Sequence, residues 1–248
     1  VTVTGTPTLT LTIGSTPVVA NYASGNGTNA LTFTYTVLAS QTDTDGISIG
    51  ADALSLNGGT IQDAVGNNAT IPHTAVTDNA SYKVDTTAPA AMTLALAEDT
   101  GTADDYTTSN TTINVGARES GATWEYSTNS GTNWTAGTGS SFTLGEGSYA
   151  AGVVRVRQTD AAGNVGNVTQ NAQAWTVDIT AHAISSIAIT SATGIQNDTL
   201  NAGDVVTVSV VMTEAVKVLG VPKLNLIIGG STVQAGYVGG TGTDTLTF

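Results

Sequence analysis

The chain has 248 residues, with 19 acidic and 6 basic side chains, a net charge of −13 and a pI near 4.1. That balance argues against binding nucleic acid or an anionic membrane surface. There is no cysteine, hence no disulfide or thiolate metal site, and no run approaches the roughly eighteen apolar residues of a membrane-spanning helix.

With 29 glycines, many Thr and Val and few Leu, the composition favours strands and turns over helices. In chain order, Val1, Val3, Leu9, Leu11 and Ile13 alternate with Thr, which predicts a half-buried strand pair turned at Gly5-Thr6-Pro7. Leu31, Phe33, Tyr35 and Val37 alternate again, Asp43-Thr44-Asp45-Gly46 reads as a turn, and short strands follow at 47–49 and 53–56. A loop at Asp63-Ala64-Val65-Gly66-Asn67 precedes a closing strand over 81–84. The next stretch reads as seven strands, over 92–97, 111–115, 123–127, 134–136, 141–144, 150–158 and 172–177. Trp124 falls on the third, where an immunoglobulin-like sandwich buries a Trp. Asp160-Ala161-Ala162-Gly163-Asn164 joins the last two. Strands at 186–190 and around Val206, Val208, Val210 and Met212 complete the list, and no 3.6-residue apolar stripe occurs.

Two joints divide the chain. Val84-Asp85-Thr86-Thr87-Ala88-Pro89 and Val177-Asp178-Ile179-Thr180-Ala181-His182 each follow an aromatic-containing strand and lead into a fresh apolar one. Pro89 has a fixed φ and no N–H, so the chain runs on rather than folding back. An internal repeat cuts across this division. Val1–Phe33 matches Val216–Phe248 without a gap, with Pro7/Pro222, Leu9/Leu224, Leu11/Leu226, Ile13/Ile228, Tyr22/Tyr237, Gly25/Gly240 and Phe33/Phe248 coinciding. The expected organisation is all-β, tandem immunoglobulin-like sandwiches end to end. Residues 1–88 form unit A without its first strands, 89–182 a complete unit B, and 183–248 the opening of a second unit A. The chain starts in mid-strand without Met and shows no signal peptide, so it reads as an excerpt.

The joint at 84–89, Gly-Ala-Thr-Trp-Glu-Tyr-Ser (121–127), Gly-Thr-Asn-Trp-Thr-Ala-Gly-Thr-Gly (131–139) and Gln-Thr-Asp-Ala-Ala-Gly-Asn (158–164) resemble the bacterial immunoglobulin-like repeats of giant surface adhesins, the RTX adhesins and large biofilm-associated proteins. Unit A resembles a second repeat type of the same proteins, through residues 200–206, 213–216 and 63–67. The resemblance covers nearly the whole chain. It implies an extracellular, calcium-stiffened extender on the bacterial surface that holds binding domains away from the cell. It implies no catalysis, and neighbouring repeats as partners. His182 stands where the family has Pro.

In an immunoglobulin-like topology the loops between strands two and three and between the last two strands lie where the chain enters. That places Asp85, Glu119 and Asp160 at the first seam, and Asp178 and Glu214 at the second, where the equivalent of Asp63 would join them. Six bases cannot neutralise nineteen acids, and Ca2+ suits flexible oxygen sites of this kind. Solvated turn residues are the plainer reading of the same pattern. Asp99, Asp104 and Asp105 at the opposite end of unit B, and Asp43 and Asp45 in unit A, are further candidate ligands. The competing function is a sugar- or ice-binding module, using the Thr-rich face over 2–12 or a platform of Trp134 and Tyr126. The histidines, His73 and His182, lie in different units and suggest no triad or zinc site. An accessory domain of a secreted hydrolase is a third possibility. The split unit A also suggests head-to-tail self-association, with 183–215 of one molecule completing 1–88 of the next.

Overall fold

Thr and Val alternate along most of the chain, and β-branched side chains fit a pleated surface better than a helix. The structure, a computed structural model describing residues 1–248, contains strands and no helix, so the all-β expectation holds. The chain forms two compact units, Val1–Asp178 and Ile179–Phe248.

Within the first unit, residues 89–178 make a sandwich. One sheet holds Thr93–Leu96, Thr112–Gly116 and Ser141–Thr143; the other holds Thr135–Ala136, Thr123–Ser127, Arg155–Thr159 and Thr169–Gln170. Between them lies a core that includes Ile113, Trp124, Phe142, Val154, Val156 and Trp175. Trp124, on the third expected strand, is 3 % exposed. Two expected strands are interrupted. Residues 150–153 turn, and 171–174 break the last strand, because Asn171 is buried and bonds its surroundings with its side chain. Its Oδ1 accepts from Val154 N–H (2.9 Å), and its Nδ2 donates to the carbonyls of Ala150 (3.0 Å) and Gln173 (2.7 Å). A side-chain amide that satisfies three backbone groups substitutes for the ladder it interrupts.

Residues 1–88 pack a smaller cluster of Ile13, Val18 and Val84, with Leu11, Tyr35 and Ile47 against it. The expected strand pair turned at Gly5-Thr6-Pro7 does not form. Thr2–Thr4 instead pairs with Thr60–Gln62, and the hairpin joins Thr8–Ile13 to Thr16–Ser24. Gly14, at φ 57°, supplies the tight reversal that Pro7 cannot, since Gly adopts positive φ without strain.

The second unit pairs Ile184–Thr193 with Val205–Val216, and the latter with Thr243–Thr247. Its core is Val208, Val210, Val216, Leu246 and Phe248. Its hairpin, Lys223–Ile228 with Ser231–Gly236, repeats the first at an offset of 215 residues in every pairing. Thr8↔Asn21 becomes Lys223↔Gly236, and Ile13↔Thr16 becomes Ile228↔Ser231. The Tyr22–Phe33 and Tyr237–Phe248 rings meet edge-on at the same 5.9 Å. Gly25 and Gly240 sit at φ 111° and 110°. Thr28 and Thr243 each cap the following turn through their hydroxyls, at 2.8 Å to the Gly25 and Gly240 carbonyls.

Candidate functional site

The joint at 84–89 is fixed from both sides. Val84–Asp85 pairs with Thr42–Asp43. The Thr86 hydroxyl donates to the Gln41 carbonyl at 2.9 Å, and Asp85 Oδ1 accepts from Thr87 N–H at 2.9 Å, which turns the chain toward Pro89. From the following sandwich, Asn164 Nδ2 donates to the Asp85 carbonyl at 3.0 Å. Gln158, 1 % exposed, ties three segments together: its Oε1 accepts from Glu119 N–H (2.9 Å), and its Nε2 donates to the carbonyls of Ala90 (2.7 Å) and Ala117 (3.2 Å). Gly166 lies so close to Pro89 that a Cβ would sit 2.7 Å from the Pro89 carbonyl. Of these bonds, the one from Asn164 to the Asp85 carbonyl crosses from 89–178 to 1–88, while the Gln158 and Gly166 contacts fix how the chain enters 89–178.

Asp85 and Glu119 line one cleft, with Thr42, Asp43, Lys83 and Thr87. Asp160 lies at the same seam, since its loop touches Asp85 through Asn164, but its carboxylate turns into its own loop. Oδ1 accepts from Ala162 N–H (2.9 Å) and Asn164 N–H (2.8 Å), and Oδ2 from Asn164 Nδ2 (2.8 Å). The Asn164 side chain first, then the backbone N–H groups, hold the Asp160 carboxyl below its ordinary range despite its burial. Asp63 is bound in the same way by Asn67 and Val65, and its carboxyl is likewise lowered, chiefly by the Asn67 side chain.

The remaining candidate ligands have varied settings. Asp43 is buried and holds two turns, accepting from Gly14 N–H (2.7 Å) and Gly46 N–H (2.6 Å); the Gly14 bond is the main cause of its lowered pKa. Asp45 is exposed beside it. Asp105 accepts from Thr107 N–H at 2.8 Å. Asp99 and Asp104 share a cavity of about 360 Å³ with Leu94, Leu96, Tyr106 and Trp175, and Asp99 Oδ1 is buried in it without a hydrogen-bond partner. Asp178 donates its N–H to the Thr108 carbonyl at 2.9 Å. Glu214 lies 3.8 Å from His182 Nδ1 within the second unit. Nowhere do three or more carboxylate or imidazole groups converge at a spacing that would hold a metal ion.

The aromatic platform does not form as a pair. The Arg157 guanidinium covers Trp134 at 4.1 Å from its centroid, while Tyr126 stacks on Phe142 at 4.2 Å. Gln158 and Asn164 are the seam residues that residue type alone did not single out. The signal for Gln158 was its register: Val154, Val156 and Gln158 occupy successive inward positions of one strand, and a polar residue there needs buried partners.

No family model matches the sequence, and no curated protein matches it. Among solved structures, a tetra-tandem repeat from the extending region of a large adhesion protein aligns with 98 % of this chain at 18 % identity and a TM-score of 0.25. This chain spans 57 % of that one.

Proposed function

We propose that this chain is a length of tandem spacer from a large bacterial surface adhesin, holding terminal binding domains away from the cell. The observation that carries the reading is the duplicated hairpin. Two segments 215 residues apart share strand register, ring pair and turn geometry. A binding site needs to be built once, whereas a spacer gains length with every copy.

The seam supplies stiffness in this reading. The bond from Asn164 to the Asp85 carbonyl links residues 1–88 to 89–178, and Gln158 and Gly166 hold the Pro89–Ala90 entry against the sandwich it leads into. The fit to calcium is partial. Asp85 and Glu119 share a cleft and would be its protein ligands, while the Asp160 oxygens are spent on three N–H groups and hold the loop. A hard dication there would offset carboxylate repulsion and draw its remaining oxygens from carbonyls and water.

Two measurements test these statements separately. Small-angle scattering on chains carrying one, two and three A–B pairs should show the maximum dimension growing by a constant step. Growth of the radius alone, as in a compact cluster, overturns the spacer. Chelation should lower the melting temperature and bend the particle, and Glu119→Gln should abolish that response. If chelation changes neither quantity, calcium has no part at this seam.

A further inference from the structure

The two copies of the hairpin differ in what covers them. In the first, the turn end of the inner face is sealed: Ile13 is 2 % and Val18 8 % exposed, packed with Val84, Tyr35 and Ile47. The outer edge of Thr8–Ile13 is also occupied. Leu9 pairs with Leu54, Thr10 N–H donates to the Ala53 carbonyl (3.0 Å), and Thr12 exchanges bonds with Ser48 (2.8 and 3.1 Å). Gly14 N–H is held by the Asp43 carboxylate. In the second copy the base of the same face is covered by the core around Val208 and Val210, through Leu224, Leu226, Ala235 and Tyr237. Its turn end is bare: Ile228, the match of Ile13, is 60 % exposed, and Val233, the match of Val18, is 40 % exposed. Lys223–Ile228 pairs only with Ser231–Gly236 and leaves its other edge open.

We propose that this face and edge form a docking site for one occupant, a segment of the Thr34–Val84 type supplied in tandem. The inference rests on the spacer reading and names the partner that the second unit takes within it. The occupant follows from the molecule itself, because the matching hairpin of 8–24, paired in the same register, is seen with that segment in place. Its recognition has three parts. A strand like Ser48–Ser55 adds to the open edge of 223–228. Apolar side chains like Tyr35, Ile47 and Val84 cap Ile228 and Val233. A carboxylate like that of Asp43 receives the N–H of Gly229, the match of Gly14. A second copy of the chain is a poorer occupant. Its own 34–84 segment already covers its own hairpin, so exchange would uncover one hairpin for each one it covers.

The chain lacks cysteine, which makes a single introduced thiol a clean probe. In Ile228→Cys, labelling by a soluble thiol reagent should be fast. Appending a copy of residues 34–88 after Phe248 should slow it at least about tenfold, the factor that about 1.4 kcal/mol of burial corresponds to. A scrambled appendage should leave it fast, and Ile13→Cys should label slowly throughout. Labelling that stays fast with the true appendage overturns the inference, whether the appendage misfolds or merely fails to dock. The scattering test of the spacer is untouched by that result. Slow labelling in the unextended chain that becomes slower with concentration, together with dimers in sedimentation, overturns it in favour of a second copy.

Discussion

The loops Asp63–Asn67 and Asp160–Asn164 are one structure built twice. In each, the Asp N–H donates to the Asn carbonyl (3.0 and 3.1 Å), the Gly N–H donates to the Asp carbonyl (3.2 Å in both), and the Asn amide grips the Asp carboxylate at 2.8 Å. What differs is the neighbour. Asn67 is exposed and bonds only within its loop, whereas Asn164 is half-buried and its amide also reaches the Asp85 carbonyl. The loop is therefore a self-sufficient turn first and a connector second. Its carboxylate keeps the Asn side chain in the pose that can reach a neighbouring backbone. In the first copy that pose exists without a partner, which shows that the seam does not create it.

The comparison can be broken most severely at Gln158, which holds the entry of residues 89–178 beside the second loop. Gln158→Ala would leave a cavity at a fully buried position and remove the bonds to the Glu119 N–H and the Ala90 and Ala117 carbonyls, at a cost of about 2–4 kcal/mol by urea unfolding. A loss below about 1 kcal/mol would mean that water replaces the amide and the entry of 89–178 is looser than its contacts imply. Next in size, Gly137→Ala tests the sandwich that carries the connecting loop. Its Cβ would enter the Trp124 ring, and overpacking of this kind costs about 1–3 kcal/mol. The direct contrast is smaller. Asn164→Ala should cost about 1–2 kcal/mol and Asn67→Ala under about 1 kcal/mol, because only the first also severs the bond to Asp85. Equal losses would erase the distinction drawn between the two loops.

Much of this was legible in the sequence, and the reasons are specific. The strands of residues 111–144 were readable because their alternation is uninterrupted and Trp124 marks the core. The hairpin repeat was readable because identical residues recur at a constant spacing. The turn at Gly5-Thr6-Pro7 misled because alternation sets the face of a strand but not its partner. Val1 and Val3 have the right period to pair with Leu9 and Leu11, yet their hydrogen bonds go to residues 60–62. The acids of the first seam could be assigned to one end of the sandwich by topology alone. Where each carboxylate points could not, since a loop that satisfies its own Asp looks the same in sequence as one that offers it to an ion. Asn164 was visible only as the last letter of a turn motif, and its role depends on a residue 79 positions away.

The smallest effect separates the two loops most cleanly, because it removes one contribution by pH instead of by mutation. Asp63 and Asp160 both titrate below their ordinary value of 3.8, so the folded state favours their ionised forms. The stability they contribute is fully present above the unfolded value and is lost as pH falls through the folded one. Asp43 is lowered too, but it is unchanged in both variants and cancels between them. The cost of Asn67→Ala should therefore be largest above about pH 5 and vanish in acid, where protonated Asp63 no longer needs its amide. The cost of Asn164→Ala should shrink over the same range but level off above zero, because the Asp85 carbonyl does not titrate and still loses its donor. Two acid titrations of stability, one for each variant against the parent, read this directly. If both curves reach zero, the bond from Asn164 to Asp85 adds nothing and the two loops are equivalent in energy as well as in shape.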